Sequence, residues 1–138
     1  MAQILRKIRL QDACGAIDDL WSPRVIAAIG TTQNRTDDQL GEVQVKLARI
    51  DGEFIWHAHD NEDEMFLVIK GRLEMRLCDQ DAIMLDAGDM LVVPAGVEHC
   101  PVAHGEAWIM LVEPKGTVQT GGAGGEQSRA AQQREQDE

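Results

Sequence analysis

The sequence predicts an all-β fold, a β-sandwich or a β-barrel, on three observations. Short runs of apolar residues recur at nearly regular spacing between residues 42 and 113. Glycine, proline and aspartate separate these runs, and none of them has the period of a convincing amphipathic helix. A series of short strands with such turn residues between them is typical of sandwiches and barrels.

The first forty residues predict only short elements. Ile4 and Ile8 alternate in a short strand or arm, and the residues that follow, up to position 20, indicate a helical turn. The apolar run Arg24–Ile29 predicts a strand. Thr31–Leu40 is polar and predicts a loop.

The next segment begins the main series of strands. Apolar and polar side chains alternate from residue 43 to residue 48, which is the pattern of a half-buried strand. Either the apolar set or the polar set, Gln44 and Lys46, faces the interior. If the polar set does, one of these two side chains could orient a substrate. Asp51-Gly52 predicts a turn at the end of this strand.

Further strands are predicted at 54–59, 64–70, 72–78, 82–86, 89–93, 98–103 and 107–113. His104-Gly105 predicts the turn between the last two, and His104 is expected at the surface. Beyond residue 114 the pattern stops in a glycine-rich linker and a polar tail.

The chain is long enough for one domain with a core of its own. We divide its 138 residues into three parts. Residues 1–41 form an arm, a helical turn, an edge strand and a loop; residues 42–114 form the barrel; residues 115–138 form the linker and tail.

Charge and composition exclude several classes of partner. The net charge of −11 argues against binding to nucleic acid or to an anionic membrane. No apolar run reaches the length of a signal peptide or of a membrane span. Cys14, Cys78 and Cys100 are an odd number without C-x-x-C spacing, so they predict reduced thiols in a cytoplasmic protein.

Two histidines and a glutamate form the candidate site. His57 and His59 are two residues apart, so on an extended strand both imidazoles point to the same face. A turn then brings Glu64 back to face them. The segment from Gly88 to His99 predicts a hairpin that carries His99 to the same interior point. Imidazoles with a carboxylate suit Fe, Mn, Ni or Zn.

These residues resemble the two sequence motifs of the cupin superfamily. The positions that match the first motif are Gly52, His57, His59, Glu64 and Gly71, and those that match the second are Gly88, Pro94, Gly96 and His99. Two departures occur. Four residues instead of five separate Gly52 from His57, and Ala103 stands where the second motif ends in asparagine.

The resemblance implies a jelly-roll barrel in which His57, His59, Glu64 and His99 hold one divalent transition metal. It also implies a homodimer that exchanges N-terminal strands, for which the arm Ile4–Leu10 is available.

The function expected from the resemblance is a metal-dependent dioxygenase, isomerase or lyase that acts on a small oxygen-rich molecule. The alternatives are a non-catalytic cupin that binds a sugar or carboxylate through its metal, and a purely structural metal. The chain has no tyrosine, which excludes the cupin enzymes that use a tyrosine base or a tyrosine-linked cofactor.

Overall fold

The computed structural model describes residues 5–30 and 42–119. The predicted loop Thr31–Leu40, Ile4 in the N-terminal arm and the polar tail after residue 119 lie outside these ranges. The predicted three-part division of the chain also stays a prediction.

The described residues form an antiparallel sheet folded into a jelly-roll barrel, which confirms the predicted all-β class. The elements are α1 (Leu10–Gly15), β1 (Arg24–Ile29), β2 (Val43–Glu53), β3 (Glu64–Lys70), β4 (Arg72–Leu77), β5 (Ile83–Asp86), β6 (Met90–Val93) and β7 (His99–Pro114). The sheet has the order β1-β2-β7-β3-β6, and β4 pairs with both β7 and β5. No described helix is long and apolar enough to cross a membrane.

The long strand β7 replaces the two strands predicted at 98–103 and 107–113. Its first part pairs with β4, its second part pairs with β3, and β2 pairs with both parts. Gly105 has a φ of +80°, so the strand changes direction there without ending. The prediction of a turn at His104-Gly105 was therefore wrong, because pairing with several strands keeps the segment extended.

A bulge replaces the turn predicted at Asp51-Gly52. The register between β2 and β7 shifts between Ile50 and Gly52. Gly52 has a φ of +77°, a left-handed conformation that glycine adopts without steric cost. The turn signal therefore marks a bend inside a continuing strand, where glycine is equally favoured.

The prediction of a strand at 54–59 was also wrong, because these residues do not form a regular strand. Only His57 forms a bridge there, with His99, and Phe54 donates a single backbone hydrogen bond to Pro101. These isolated bonds guide an irregular segment alongside β7. His57 and His59 are nevertheless both buried, whereas Trp56 between them is exposed.

The interior of the barrel settles which side of β2 faces inward. Lys46, Ala48 and Ile50 pair with inward-facing residues of β7 and are buried. Leu47, on the other face, packs with Cys14 and Ile17 beneath α1. The polar set of the alternating pattern is therefore the one that faces the interior.

Candidate metal centre

The four residues predicted as metal ligands lie together inside the barrel. One ligand atom from each of His57, His59, Glu64 and His99 lies within 4.8 Å of the others, and all four residues are buried. His59 Nε2 is 3.2 Å from Glu64 Oε1, and His99 Nε2 is 3.7 Å from the same oxygen. Residues 42 positions apart in the chain therefore converge on one point.

Backbone hydrogen bonds orient two of the imidazoles. The Nδ1 atoms of His57 and His99 lie 2.9 Å from the carbonyl oxygens of Ile55 and Val97. A carbonyl only accepts, so each Nδ1 carries the proton and donates. The lone pair of each ring is thereby left on Nε2, which is the protonation state that a metal-binding histidine requires.

The turn from Pro94 to Gly96 is tied to the segment that carries His59. The Gly96 amide donates to the His59 carbonyl at 2.8 Å, and the Ala95 amide donates to Asp63 Oδ1 at 2.8 Å. The loop before Glu64 and the loop before His99 are thus held together. This linkage places ligands from both sequence motifs in one site.

Several buried polar atoms at the site have no partner among the described residues. Besides Glu113 Oε2 and Gln119 Oε1, they are the ligand atoms His59 Nε2, Glu64 Oε1 and His99 Nε2. Leaving a buried polar atom unsatisfied costs about 1–3 kcal/mol, and these three atoms lie beside one another. A cation bound between them would satisfy all three at once.

The separations fit a transition metal. Ligands at about 2.1 Å from a metal lie about 3 Å apart when adjacent and about 4 Å apart when opposite. The observed range of 3.2 Å to 4.8 Å needs only small side-chain movements to reach these values. Three imidazoles and one carboxylate suit Fe, Mn, Ni or Zn without choosing among them.

A buried ion pair that the ligand prediction did not include stands behind Glu64. Lys46 Nζ lies 2.8 Å from Glu113 Oε1, and their side chains are only 0% and 3% exposed. Glu113 in turn lies opposite Glu64 on the neighbouring strand, because Met65 pairs with Val112. The alternating pattern drew attention to Lys46, but Glu113 sits at the end of an apolar strand and carried no comparable signal.

Burial and neighbouring groups shift the pKa values of the site in different directions. Burial, together with the neighbouring histidines, lowers the pKa of His57 to about 4, which keeps its imidazole neutral. Burial would raise the pKa of Glu64, but its interactions with Glu113, His59 and His99 outweigh this effect and lower it. Burial and the adjacent Glu64 raise the pKa of Glu113 well above its usual range. Both directions favour the negative charge on Glu64, the candidate ligand.

A narrow, mostly apolar cavity opens beside these ligands. Its volume is about 30 Å³, and it is open to solvent at its mouth. The lining residues are Trp21, Pro23, Ala48, Ile50, Phe54, His57, Glu64, Phe66, Pro101, Ile109, Leu111 and Gln119. The ligands His57 and Glu64 therefore meet a space bounded largely by aliphatic and aromatic surface.

Trp21 covers part of this cavity. Its ring stacks on Phe54 with centroids 4.6 Å apart, and its indole N–H donates to the carbonyl oxygen of Asp51. Gln119 donates to the Trp21 carbonyl at 3.1 Å. Segments from both sides of the barrel thus meet over the site, which the strand pattern did not predict.

Three other residues singled out from the sequence lie away from the ligand cluster. His104 is exposed, as predicted, and lies 2.8 Å from Glu74. Cys100 is buried, with its thiol 3.7 Å from the Phe54 carbonyl. Ala103, which stands where the motif has asparagine, packs in the apolar core.

Comparison with known proteins places this fold and these residues in a family. A family model described as a cupin domain (Cupin_2) matches residues 45–114. The uncharacterized protein YdbB of Bacillus subtilis is 40% identical over 71 residues, which are 51% of this chain and 63% of that protein. The matched region thus spans less than two thirds of this relative.

Solved structures agree with the family match. The crystal structure of a cupin-2 domain containing protein from Shewanella frigidimarina is 41% identical, with a TM-score of 0.66 over 78% of this chain and 94% of that chain. Protein NMB1881 from Neisseria meningitidis is 25% identical, with a TM-score of 0.63 over 80% of this chain and all of that one.

Proposed function

Because the chain belongs to the cupin family, we propose that it is a metal-dependent enzyme acting on a small molecule that carries oxygen atoms at one end. The observation that carries this proposal is the convergence of unpartnered, buried ligand atoms beside an apolar cavity. Four protein ligands leave one or two coordination positions of an octahedral metal open, which is the arrangement of catalytic rather than structural sites.

In this proposal His57, His59, Glu64 and His99 hold one divalent transition metal. The metal would supply Lewis-acid or oxygen-activating chemistry, as expected for a dioxygenase, isomerase or lyase. The chain's own residues bind and orient. Ile55 and Val97 hold two imidazoles in the required protonation state, and Phe54 and Phe66 exclude water beside the ligands.

The cavity restricts the class of substrate. Apart from ligands, the described residues that line it contribute one polar side chain, Gln119. A sugar would leave many hydroxyl groups unpaired against this surface, and each unpaired polar group is costly. We therefore expect a small compound with a carboxylate, diketone or similar oxygen pair at one end and an apolar body.

The second candidate is a non-catalytic cupin that binds such a compound through its metal. One observation favours it. Among the described residues that line the cavity, only candidate ligands have a side chain that can gain or lose a proton near neutral pH. All proton transfer in an enzyme would then involve the metal centre or the substrate itself.

Metal binding is the first test. The purified protein is stripped with chelator, incubated with Fe(II), Mn(II), Ni(II) or Zn(II), dialysed and analysed for metal. We expect about one equivalent in the wild type and in His104→Ala, which changes an exposed histidine. His59→Ala should lose the metal. Equal metal content in the two variants, or none in the wild type, would contradict the proposal.

Ligand binding and turnover separate the three functions. The Co(II)-substituted protein is titrated with small apolar carboxylates and diketones while its visible spectrum is followed, and the loaded protein is assayed for oxygen uptake and product formation. A spectral change with turnover supports an enzyme. A spectral change without turnover across the panel favours the binding protein, and no change with any ligand favours a structural metal.

We also propose that the protein is a homodimer in the cytoplasm. Leu5, Ile8 and Ile29 are exposed large apolar residues near the N terminus and on edge strand β1, and covering them would remove apolar surface from water. Light scattering of the purified protein should give twice the mass of the chain. A monomer at micromolar concentration would contradict the dimer.

A further inference from the structure

We propose that Glu113, anchored by Lys46, is a positioning residue that holds Glu64 in the orientation needed to bind the metal. This inference rests on the proposed metal site. It assigns a role to two buried residues outside the ligand set.

The three side chains form a row across neighbouring strands. Met65 on β3 pairs with Val112 on β7, so that Glu64 and Glu113 lie opposite each other at the next position. On the other side, Gln44 of β2 pairs with Glu113, and Lys46 lies two residues further along β2. Diagonal neighbours in a sheet are within reach of a long side chain. The 2.8 Å distance between Lys46 Nζ and Glu113 Oε1 follows from this register.

Packing alone does not account for this row. Lys46 and Glu113 are both buried, on the inward faces of strands that otherwise contribute to an apolar core. Removing a lysine and a glutamate from water costs several kcal/mol per ion, and well-packed apolar residues are often as stable or more stable. A stabilising role would thus be served better by leucine or methionine at these positions. The presence of the Lys46–Glu113 pair here therefore indicates that it acts on the adjacent carboxylate of Glu64.

The contacts of Glu64 indicate what Glu113 does there. Glu64 Oε1 faces the Nε2 atoms of His59 and His99. Glu113 stands opposite Glu64 on the neighbouring strand, where its side chain restrains the rotation of the Glu64 carboxylate and leaves Oε1 directed at the imidazoles. Lys46 fixes Glu113 from the opposite side. Groups that orient a metal ligand in this way commonly change metal affinity 10- to 100-fold.

The experiment compares four variants for Co(II) affinity, measured by competition with a chelator, and for the visible spectrum of bound Co(II). Glu113→Leu removes the contact to Glu64. Glu113→Gln retains it, since the amide N–H donates to Glu64 and the amide oxygen accepts from Lys46. The double variant Lys46→Met, Glu113→Leu replaces the ion pair by apolar residues, and we expect it to fold even if a lone buried lysine prevents folding. Leu73→Ala, which opens a cavity in the apolar core, is the control.

We expect Glu113→Leu and the double variant to bind Co(II) about 10- to 100-fold more weakly than the wild type, with a changed spectrum. Glu113→Gln should retain affinity and spectrum within a few fold, and Leu73→Ala should retain both. Wild-type affinity and spectrum in the folded double variant would overturn the inference while leaving the metal site intact. Absence of Co(II) binding in the wild type would overturn the metal site itself.

Discussion

The two ends of the barrel interior are equally buried but are built on different principles. One end consists of apolar side chains such as Val68, Leu73 and Met75, each at most 1% exposed. The other end holds three histidines, two glutamates and a lysine that are at most 5% exposed. Burial by itself therefore does not distinguish core from site.

The two ends differ in whether their buried atoms need hydrogen-bond or metal partners. The apolar end is complete when its side chains are packed, because it has no polar atoms that need a partner. At the other end, the carboxylate and imidazole atoms that face one another lack hydrogen-bond partners among the described residues. The apolar end stabilises the fold. The polar end destabilises it, because buried polar atoms lack partners there, and a bound cation would offset this cost. Two predictions test this division, and a third tests how closely the strands of the barrel approach each other.

The largest effect is expected from a cavity in the apolar end. Leu73 is fully buried on β4, and Leu73→Ala should lower the free energy of unfolding by about 2–5 kcal/mol. Metal affinity should stay unchanged, since Leu73 belongs to the apolar core and pairs with Leu85 and Ala103. Urea unfolding and a Co(II) titration on the same sample measure both quantities. Parallel losses of stability and affinity would show that the two ends are not independent.

Metal addition tests the polar end. At a free metal concentration of 100 times Kd, a metal that binds only the folded state adds about 2.7 kcal/mol to the free energy of unfolding. The wild type and Leu73→Ala should gain this amount equally, and His59→Ala should gain almost none. Thermal unfolding with and without Ni(II) provides the measurement. A similar gain in His59→Ala would place the metal elsewhere on the chain.

The smallest expected effect is a difference in stability between alanine variants of two glycines that both occupy motif positions. A Cβ on Gly71 would lie 2.7 Å from the backbone oxygen of Glu106, whereas nothing lies within 4 Å of one on Gly88. Both have positive φ, so both alanine variants pay conformational strain of about 1–2 kcal/mol. Gly71→Ala should unfold at lower urea concentration than Gly88→Ala because it adds the clash. Equal midpoints would mean that the strand β7 moves away at little cost.

Most of the fold and the candidate ligand set could be predicted from local patterns. Strand β3 begins and ends at the predicted residues 64 and 70, because a short apolar run bounded by turn residues favours a buried strand. The four ligand residues lie in motif positions with fixed spacing, and the structure brings them together. Their binding of a metal stays a prediction.

Turn signals were the weak point of the sequence interpretation. Asp51-Gly52 and His104-Gly105 have the composition of turns, but β2 and β7 continue through them. Glycine permits a positive φ in a turn, a bulge or a bent strand, and only the neighbouring strands decide which one forms. The residues themselves could not distinguish these outcomes.

The sequence by itself determined the all-β class, the positions of most strands and the residues of the candidate metal centre, since each follows from spacing along the chain. Tertiary structure alone decided that Lys46 faces inward, that Glu113 stands beside Glu64 and that Trp21 covers the cavity. These contacts join residues 67, 49 and 33 positions apart, between Lys46 and Glu113, Glu64 and Glu113, and Trp21 and Phe54. They depend on strand register and barrel closure, which no local pattern encodes.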